Sequence, residues 1–212
     1  MESEAQIIDW KSNRRKRFTA SEVYKLMGVP KTKSSVFTDA AKTYIYTKAA
    51  ELLTGTRREA YGSAIDWGNM YEKEAYECLA EEYDDFLMYH GQENPRFYPY
   101  GEWSGGSPDA VSTIHVVEFK CPFDSTNHLY NCLLKDNDDV KRERTAHYWQ
   151  MQLLMIALDK PSALYGSYDP RFPPSKRLHV VEVKRDPVKD MIDEKLGYAA
   201  ELFTKIMGEL GL

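Results

Sequence analysis

The sequence has little cysteine, and its three cysteines stand far apart at Cys78, Cys121 and Cys132. None belongs to a C-x-x-C pair, so the sequence indicates neither a disulfide framework nor a structural zinc site. Three thiols also cannot supply the four thiolates of an iron–sulfur cluster. We expect the cysteines to be reduced and partly buried.

Long apolar runs are also missing, and no stretch of the sequence is long enough to span a bilayer. Residues 1–10 are acidic and polar, unlike the basic and apolar regions of a secretion signal. The sequence has no internal repeat, low-complexity tract or Gly/Ser-rich linker. We therefore expect a cytoplasmic protein with a single domain over residues 1–212.

The chain has no excess of positive charge, because 28 Lys and Arg stand against 33 Asp and Glu, for a net charge of -5. This balance would usually speak against a nucleic-acid partner, since phosphate contacts need Lys and Arg. Basic residues are nevertheless concentrated near the N-terminus, at Lys11, Arg14, Arg15, Lys16, Arg17, Lys31 and Lys33. Such a run is more often a solvated surface than a binding site. We nevertheless expect an N-terminal helical and basic part, about residues 1–60, to contribute to DNA binding.

Helix and strand patterns alternate along the chain. The segment HVVEFK, at 115–120, is rich in β-branched and aromatic residues and predicts a buried strand, and 178–184 predicts another. Apolar spacings of three and four predict helices over 38–54, 64–83, 143–158 and 187–210. A shorter helix is predicted between Thr19 or Ser21 and Leu26, and loops near 28–38, 91–107 and 166–176. This alternation predicts an α/β fold with a central mixed sheet flanked by helices.

Acidic and basic side chains converge on the first predicted strand. Glu118 and Lys120 stand two residues apart and point to the same side, and Asp109 comes just before this strand. Two carboxylates suit Mg²⁺, which takes oxygen ligands and keeps positions for water and phosphate oxygens. Lys120 could orient or deprotonate an attacking water. The pattern is therefore suited to metal-assisted hydrolysis of a phosphodiester.

A structural interpretation of the same residues is that Glu118 and Lys120 form an ion pair on the sheet while Asp109 starts a turn. The chain contains its own comparison, because Glu182 and Lys184 repeat the E-x-K spacing on the second strand. Only the first pair follows a Ser-Pro-Asp segment. We therefore interpret Glu182 and Lys184 as structural.

Several segments together resemble the lambda exonuclease and YqaJ-like viral recombinase family of PD-(D/E)XK nucleases. The core of the resemblance is Ser107-Pro108-Asp109, followed by Glu118-Phe119-Lys120-Cys121-Pro122-Phe123. The family's T-A-S-E-V, W-G-x-x-Y-E, Q-x-Q and Y-D-P-R motifs are matched in order by 19–23, 67–72, 150–152 and 168–171. The resemblance runs through most of the chain and implies a restriction-endonuclease-like core.

The resemblance implies further residues of a catalytic site. The implied catalytic set is Glu72, Asp109, Glu118, Lys120 and Gln150. The implied metal ligands are Asp109, Glu118 and the backbone carbonyl of Phe119, for Mg²⁺ (two ions) with Mn²⁺ as a substitute. A helix-edge Glu72 that reaches solvent is the alternative for that residue, and a hydrogen-bonded core glutamine is the alternative for Gln150. Gln152 falls on another face of its helix.

The resemblance also implies a pocket for the 5′-phosphate of a DNA end. The implied phosphate contacts are Arg14, Ser21 and Ser107, and further DNA contacts are Thr19 and Lys31. An arginine suits this role because its planar guanidinium can hold a phosphate with two hydrogen bonds. Arg15 and Arg17 crowd beside Arg14, so the sequence leaves open which arginine enters the pocket.

The implied activity is 5′-to-3′ degradation of one strand of linear double-stranded DNA. It would release 5′-mononucleotides and leave 3′ single-stranded tails for phage-type recombination in the host cytoplasm. Family resemblance also implies a ring-shaped homotrimer and a single-strand annealing protein as partner. Two other functions fit the residues: a structure-specific or sequence-specific endonuclease with the same core, and a non-catalytic DNA-end-binding module.

The comparison of the two E-x-K strands gives a direct test. We expect Asp109→Ala, Glu118→Gln and Lys120→Ala each to abolish Mg²⁺-dependent cleavage of linear duplex DNA, because each removes a ligand or the water-orienting group. Glu182→Gln should remain active in the same gel assay of end-labelled DNA. If Glu182→Gln were inactive and Glu118→Gln active, the catalytic strand would be 178–184 and the prediction for 115–120 would be wrong.

Overall fold

The structure is a computed structural model that describes residues 2–15, 17–32, 34–56, 62–83, 85, 87–91 and 94–212. Lys16 and Lys33 of the basic segments lie outside these ranges. The strands are β1 (Phe18–Thr19), β2 (Met88–Tyr89), β3 (Tyr98–Tyr100), β4 (Ser104–Gly106), β5 (Ala110–Val111), β6 (His115–Lys120), β7 (Ser162–Tyr168) and β8 (Leu178–Lys184). The helices are α1 (Glu2–Arg15), α2 (Asp39–Thr54), α3 (Ser63–Glu82), α4 (Ser125–Asn131), α5 (Asn137–Glu143), α6 (Thr145–Ala157) and α7 (Lys189–Glu209). Short 3₁₀ helices cover Ala20–Lys25 and Pro174–Lys176.

The strands form two sheets. The larger has the order β2-β5-β6-β7-β8, in which β6 and β7 are parallel and the other neighbours are antiparallel. The smaller has the order β1-β4-β3, with β1 parallel and β3 antiparallel to β4. A mixed sheet flanked by helices confirms the fold class that the sequence predicts.

Helices cover both faces of the larger sheet. Helix α3 packs on β6 and β7 at one face, where Ala75 and Leu79 meet Val117 and Phe119. The opposite face packs against α6 in a larger apolar core that also includes side chains from α2 and α7. The β6 strand, which carries Glu118, is therefore fixed from both sides. Within the described ranges, no helix combines the length and the apolar character needed to cross a membrane.

Most predicted elements are observed close to their expected positions. The strands predicted at 115–120 and 178–184 have these bounds in the structure. The four longer predicted helices correspond to α2, α3, α6 and α7. Helix α2 shows how local sequence sets an end, because it stops at Gly55, which adopts a left-handed φ of 68°. Its start is capped by the Thr38 side chain, which accepts a hydrogen bond from the Ala41 amide at 3.1 Å.

Two predicted loops are wrong in part. The loop over 166–176 begins too early, because β7 continues to Tyr168. Every residue of β7 is buried, so its sequence SALYGSY lacks the alternation of a half-exposed strand and offers no run of β-branched residues. The loop over 91–107 contains β3 and β4. The short helix after Thr19 is a 3₁₀ helix that ends at Lys25, and the Thr19 side chain makes no capping hydrogen bond.

Candidate active site

A cavity of about 250 Å³ gathers residues from α1, α3, α6, β6 and the small sheet. It is lined by Arg14, Thr19, Ala20, Ser21, Glu72, Gly106, Ser107, Asp109, Glu118, Phe119, Lys120 and Gln150. This set contains every site residue predicted from the sequence except Lys31. Lys31 is exposed on the loop that follows Pro30 and is not among the lining residues.

Asp109 is held against β6 by its backbone and its side chain. Its amide donates to the Val117 carbonyl at 3.0 Å, and its own carbonyl accepts from the His90 amide at 2.8 Å. Its Oδ2 accepts a 2.6 Å hydrogen bond from the Phe119 amide. Because Phe119 is the middle residue of the E-F-K segment, this bond fixes Asp109 beside the Glu118 and Lys120 pair.

Glu118 is buried, and in the described part of the chain one of its two carboxylate oxygens lacks a hydrogen-bond partner. Its Oε1 accepts a 2.6 Å hydrogen bond from Lys120 Nζ. Its Oε2 is also buried and has no hydrogen-bond partner within the described part of the chain. Leaving a buried polar group unsatisfied costs roughly 1–3 kcal/mol, and more for a charged group. The cavity therefore contains an acceptor that a cation or a donor from outside the chain would satisfy.

Glu72 reaches the cavity from α3 and is held there by a residue that sequence reasoning missed. The Tyr89 hydroxyl, on β2, donates to Glu72 Oε1 at 3.1 Å. The Tyr89 ring stacks on Tyr76 of α3, with ring centroids 4.7 Å apart. No local sequence signal marks Tyr89, because only the tertiary fold brings β2 next to α3.

The electrostatics of the cavity follow from burial and from crowding of like charges. Burial raises the pKa of Asp109 well above its ordinary value, and the charges of Glu118 and Glu72 raise it further. Burial also raises the pKa of Glu72, although the hydrogen bond from Tyr89 opposes this shift. For Lys120 burial opposes the charged form, but Glu118 and Asp109 hold its pKa above the ordinary value. The ammonium of Lys120 therefore balances only part of the negative charge that the three carboxylates can carry.

The donor set of the cavity fits a hard divalent cation. Mg²⁺ binds through one or two carboxylates and keeps several waters, and the unpartnered Oε2 of Glu118 offers a carboxylate oxygen for it. In the described part of the chain, no group of three or more His, Cys, Asp or Glu side chains is arranged to hold a metal ion by itself. Asp109 and Glu118 would thus form an open site, completed by water and substrate oxygens. The carbonyl of Phe119 stays a predicted ligand.

The other polar part of the cavity is built around Arg14, in the last turn of α1. Its guanidinium carbon lies 4.5 Å from the centroid of the Trp10 ring. Trp10 Nε1 donates to Ser107 Oγ at 2.7 Å, so one tryptophan supports both groups. The hydroxyl oxygens of Thr19 and Ser21 lie 3.3 Å apart. A guanidinium together with hydroxyls is chemically suited to bind a phosphate.

Gly106 allows these parts to approach each other. A Cβ at this position would lie 2.6 Å from the Ala20 Cβ and 2.8 Å from a Leu154 methyl carbon. Contacts this short do not occur in proteins, so any side chain would push β4 away from the 3₁₀ helix and α6. The absence of a side chain at Gly106 therefore keeps Ser107 close to Ser21.

The structure separates the crowded arginines. Arg14 lines the cavity, whereas Arg15 is exposed outside it. Arg17 donates to the Asn13 carbonyl at 3.1 Å and to Asn13 Oδ1 at 2.9 Å, which directs its side chain back toward α1. The sequence predicts a helical N-terminal part but neither the bounds of α1 nor the position of Trp10, because the charged residues of this segment mask any apolar stripe.

The remaining predicted positions divide as follows. Gln150 is buried and lines the cavity. Gln152 faces away, donating to the Lys184 carbonyl at 2.8 Å and accepting from the Asp186 amide at 2.9 Å, so it joins α6 to the end of β8. Glu182 and Lys184 are exposed on β8, an edge strand, and neither lines the cavity.

The sequence and the fold are both similar to those of known proteins. Residues 9–160 match the model of the YqaJ-like viral recombinase domain. The fold is similar to that of an alkaline exonuclease, LHK-Exo, from Laribacter hongkongensis, with a TM-score of 0.76 and 22% identity over 96% of this chain and 95% of that chain. LHK-Exo in complex with dAMP gives the same TM-score and identity, over 95% of each chain.

A phage-related exonuclease from Haemophilus somnus 129PT is also similar, with a TM-score of 0.74 and 19% identity over 92% of this chain and 96% of that chain. No curated protein sequence matches the chain. At these identities the structural likeness shows the fold. It confirms the PD-(D/E)XK type of core that the sequence predicts.

The crowded carboxylates predict that divalent metal stabilises the protein. A ligand at 100 times its Kd stabilises a fold by about 2.7 kcal/mol, which for a chain of this size raises Tm by about 5–10 °C. We expect this rise with Mg²⁺ or Mn²⁺ in thermal-shift measurements. Asp109→Asn should remove most of it, whereas Glu182→Gln should keep it. A full shift in Asp109→Asn would show that the metal binds elsewhere.

Proposed function

The chain belongs to the YqaJ-like viral recombinase domain family, and from this membership we propose that it is a metal-dependent 5′-to-3′ exonuclease of linear double-stranded DNA. The observation that carries the proposal is a single cavity that combines carboxylates with an arginine and hydroxyls. The first group is suited to hydrolysis and the second to recognition of a terminal phosphate. The exonuclease identity of the similar solved structures supports the same activity.

Mg²⁺ is the cofactor that we propose, as two ions, with Mn²⁺ able to substitute. Asp109 and Glu118 would hold it, together with the carbonyl of Phe119. When bound, the metal would polarise the phosphodiester, lower the pKa of the attacking water and offset charge on the leaving oxygen. Because Asp109 has a raised pKa without metal, binding should be accompanied by release of a proton.

The side chains around the proposed metal site have separate roles in hydrolysis. Lys120 Nζ, fixed by its 2.6 Å bond to Glu118, would donate to the attacking water or to a phosphate oxygen. The raised pKa of Lys120 favours this orienting role over deprotonation of the water. Glu72, held by Tyr89, would accept a hydrogen bond from the same water. The Gln150 amide would position the substrate.

Attack of water on phosphorus would break the bond to the 3′ oxygen of the terminal nucleotide. The products are a 5′-mononucleotide, whose 3′ oxygen takes up a proton, and a strand that begins with a new 5′-phosphate. Each cleavage therefore regenerates the group that Arg14 would recognise. This chemistry would leave 3′ single-stranded tails on the duplex.

The proposal also covers the oligomeric state of the protein and its partner. A ring-shaped homotrimer would let DNA pass through a channel lined by basic residues, which would reconcile DNA binding with a net charge of -5. The partner would be a single-strand annealing protein that takes up the 3′ tail, and the place of action the cytoplasm of the host cell. Thr19 would add a contact to DNA close to the cavity.

End recognition gives the sharpest test of this function. A terminal phosphate carries more negative charge than an internal diester, so Arg14 and the two serine hydroxyls should favour a phosphorylated 5′ end. We expect a 5′-phosphorylated duplex to be degraded faster than a 5′-hydroxyl duplex, by roughly one to two decades, the equivalent of a charge-assisted hydrogen bond of about 1.5–3 kcal/mol. Arg14→Ala should remove most of this difference.

The control for this test is Arg15→Ala, which should weaken degradation of both substrates alike and reduce its salt dependence. The measurement is the initial rate on end-labelled linear duplexes with Mg²⁺, beside covalently closed circular DNA. Cleavage of the closed circle would indicate an endonuclease. Equal loss on both linear ends in Arg14→Ala would make Arg14 an ordinary backbone contact.

A further inference from the structure

The segment Tyr168–Arg171, which follows the family's Y-D-P-R pattern, lies at the end of β7 beside the cavity but contributes no lining residue. Within it, Arg171 and Asp169 form a two-point ion pair. The Nε atom of Arg171 lies 2.7 Å from Oδ1 of Asp169, and Nη2 lies 2.8 Å from Oδ2. Asp169 is fully buried, so this pair is anchored in the protein interior even though Arg171 is partly exposed.

Arg171 also holds the loop that follows β6. Its Nη2 donates to the carbonyl of Phe123 at 2.9 Å, and the carbonyl of Pro122 lies 3.4 Å away. These carbonyls come directly after Lys120 and Cys121 in the chain. The guanidinium therefore connects the end of β7 to the backbone that leaves the predicted catalytic strand.

One face of the Arg171 guanidinium packs on Trp67 of α3. The guanidinium carbon lies 4.3 Å from the centroid of the Trp67 ring. Trp67 meets Phe123 edge-on at 5.9 Å and packs on Tyr71 at 4.4 Å between centroids. At Gly68, a Cβ would lie 4.0 Å from the Cys121 carbonyl, so α3 passes close to the backbone after β6.

The segment holds α3 at a second point. The Tyr168 hydroxyl donates to Glu74 Oε1 at 2.5 Å. Trp67 and Glu74 thus contact Tyr168–Arg171 on either side of Glu72 along α3. The helix is fixed at both ends of the stretch that carries the cavity carboxylate.

We propose that Tyr168–Arg171 is a positioning clamp that sets Glu72 on α3 relative to Lys120 at the end of β6. The inference rests on the proposed nuclease function for its catalytic consequence. The segments 67–72 and 168–171 pack on each other in this chain through Trp67 and Arg171. Arg171 is a positioning residue here, since its Nε and Nη2 donors are directed at Asp169 and backbone carbonyls and its face is covered by Trp67.

A competing role for Arg171 is direct binding of a DNA phosphate, and kinetics separates the two roles. Misplacement of a catalytic group by about 1 Å can cost about 100-fold in rate. For Arg171→Ala we expect kcat on 5′-phosphorylated duplex to fall by about 10- to 100-fold with little change in KM. Arg171→Lys should not restore kcat, because an ammonium cannot make the paired bonds to Asp169 and stack on Trp67.

The matched control is Arg185→Ala. Arg185 pairs with exposed Asp159 at 2.8 Å, at the opposite end of β8 from the clamp, and we expect its loss to leave kcat and KM unchanged. A rise in KM for Arg171→Ala at constant kcat, with rescue by Arg171→Lys, would overturn the clamp in favour of a phosphate contact. Tyr168→Phe removes the hydroxyl that bonds Glu74 and also interacts with Cys78, both on α3, and should lower kcat in the same direction. This variant covers the case in which Arg171→Ala folds poorly.

Hydrogen exchange gives a readout that does not depend on nuclease activity. Arg171→Ala and Tyr168→Phe should both speed amide exchange in α3 around Glu72, while Arg185→Ala should not. Unchanged exchange in both clamp variants would overturn the clamp whatever the enzyme does. An inactive wild-type protein whose α3 still responds to the clamp variants would instead contradict the proposed function alone.

Discussion

The arrangement of the site depends on one constraint: three carboxylates and one ammonium line the same cavity. Burial and the charge of Glu118 raise the pKa of both Asp109 and Glu72, and Lys120 balances only part of the negative charge. One oxygen of Glu118 is left buried without a partner in the described part of the chain. A protein interior tolerates such an arrangement poorly unless a cation relieves it. Metal binding is the physical role for which this cavity is suited.

The surrounding fold holds these charged side chains in place with hydrogen bonds and ring contacts. The bond from the Phe119 amide to Asp109 joins the residue that precedes β5 to the end of β6. Tyr89 holds Glu72 from the far edge of the same sheet. On the other side, Trp10 supports both Arg14 and Ser107, so the proposed phosphate-binding part depends on α1. Glu72, Arg14 and Ser107 are thus supported by Tyr89 and Trp10, which have no proposed part in the chemistry.

The sequence predicts the secondary structure of segments whose apolar residues recur at the spacing typical of a helix or of a strand. The β6 segment HVVEFK and the amphipathic helix α7 were predictable because their apolar pattern matches their exposure. The β7 strand was not, because it is buried on both faces and consists of small and aromatic residues. Site residues were predictable where a motif carries them. Trp10 and Tyr89 were not, because their contacts join segments that are distant in sequence and that only the tertiary fold brings together.

The proposed hydrolysis requires a divalent metal at Asp109 and Glu118, and anomalous diffraction from crystals soaked in Mn²⁺ would locate it. Mn²⁺ prefers the same oxygen ligands as Mg²⁺ and can be located by its anomalous signal. The account predicts a peak within coordination distance of both carboxylates, on the side of the partnerless Glu118 oxygen. A peak at other carboxylates, or none at this cavity in Mn²⁺ concentrations that support catalysis, would contradict it.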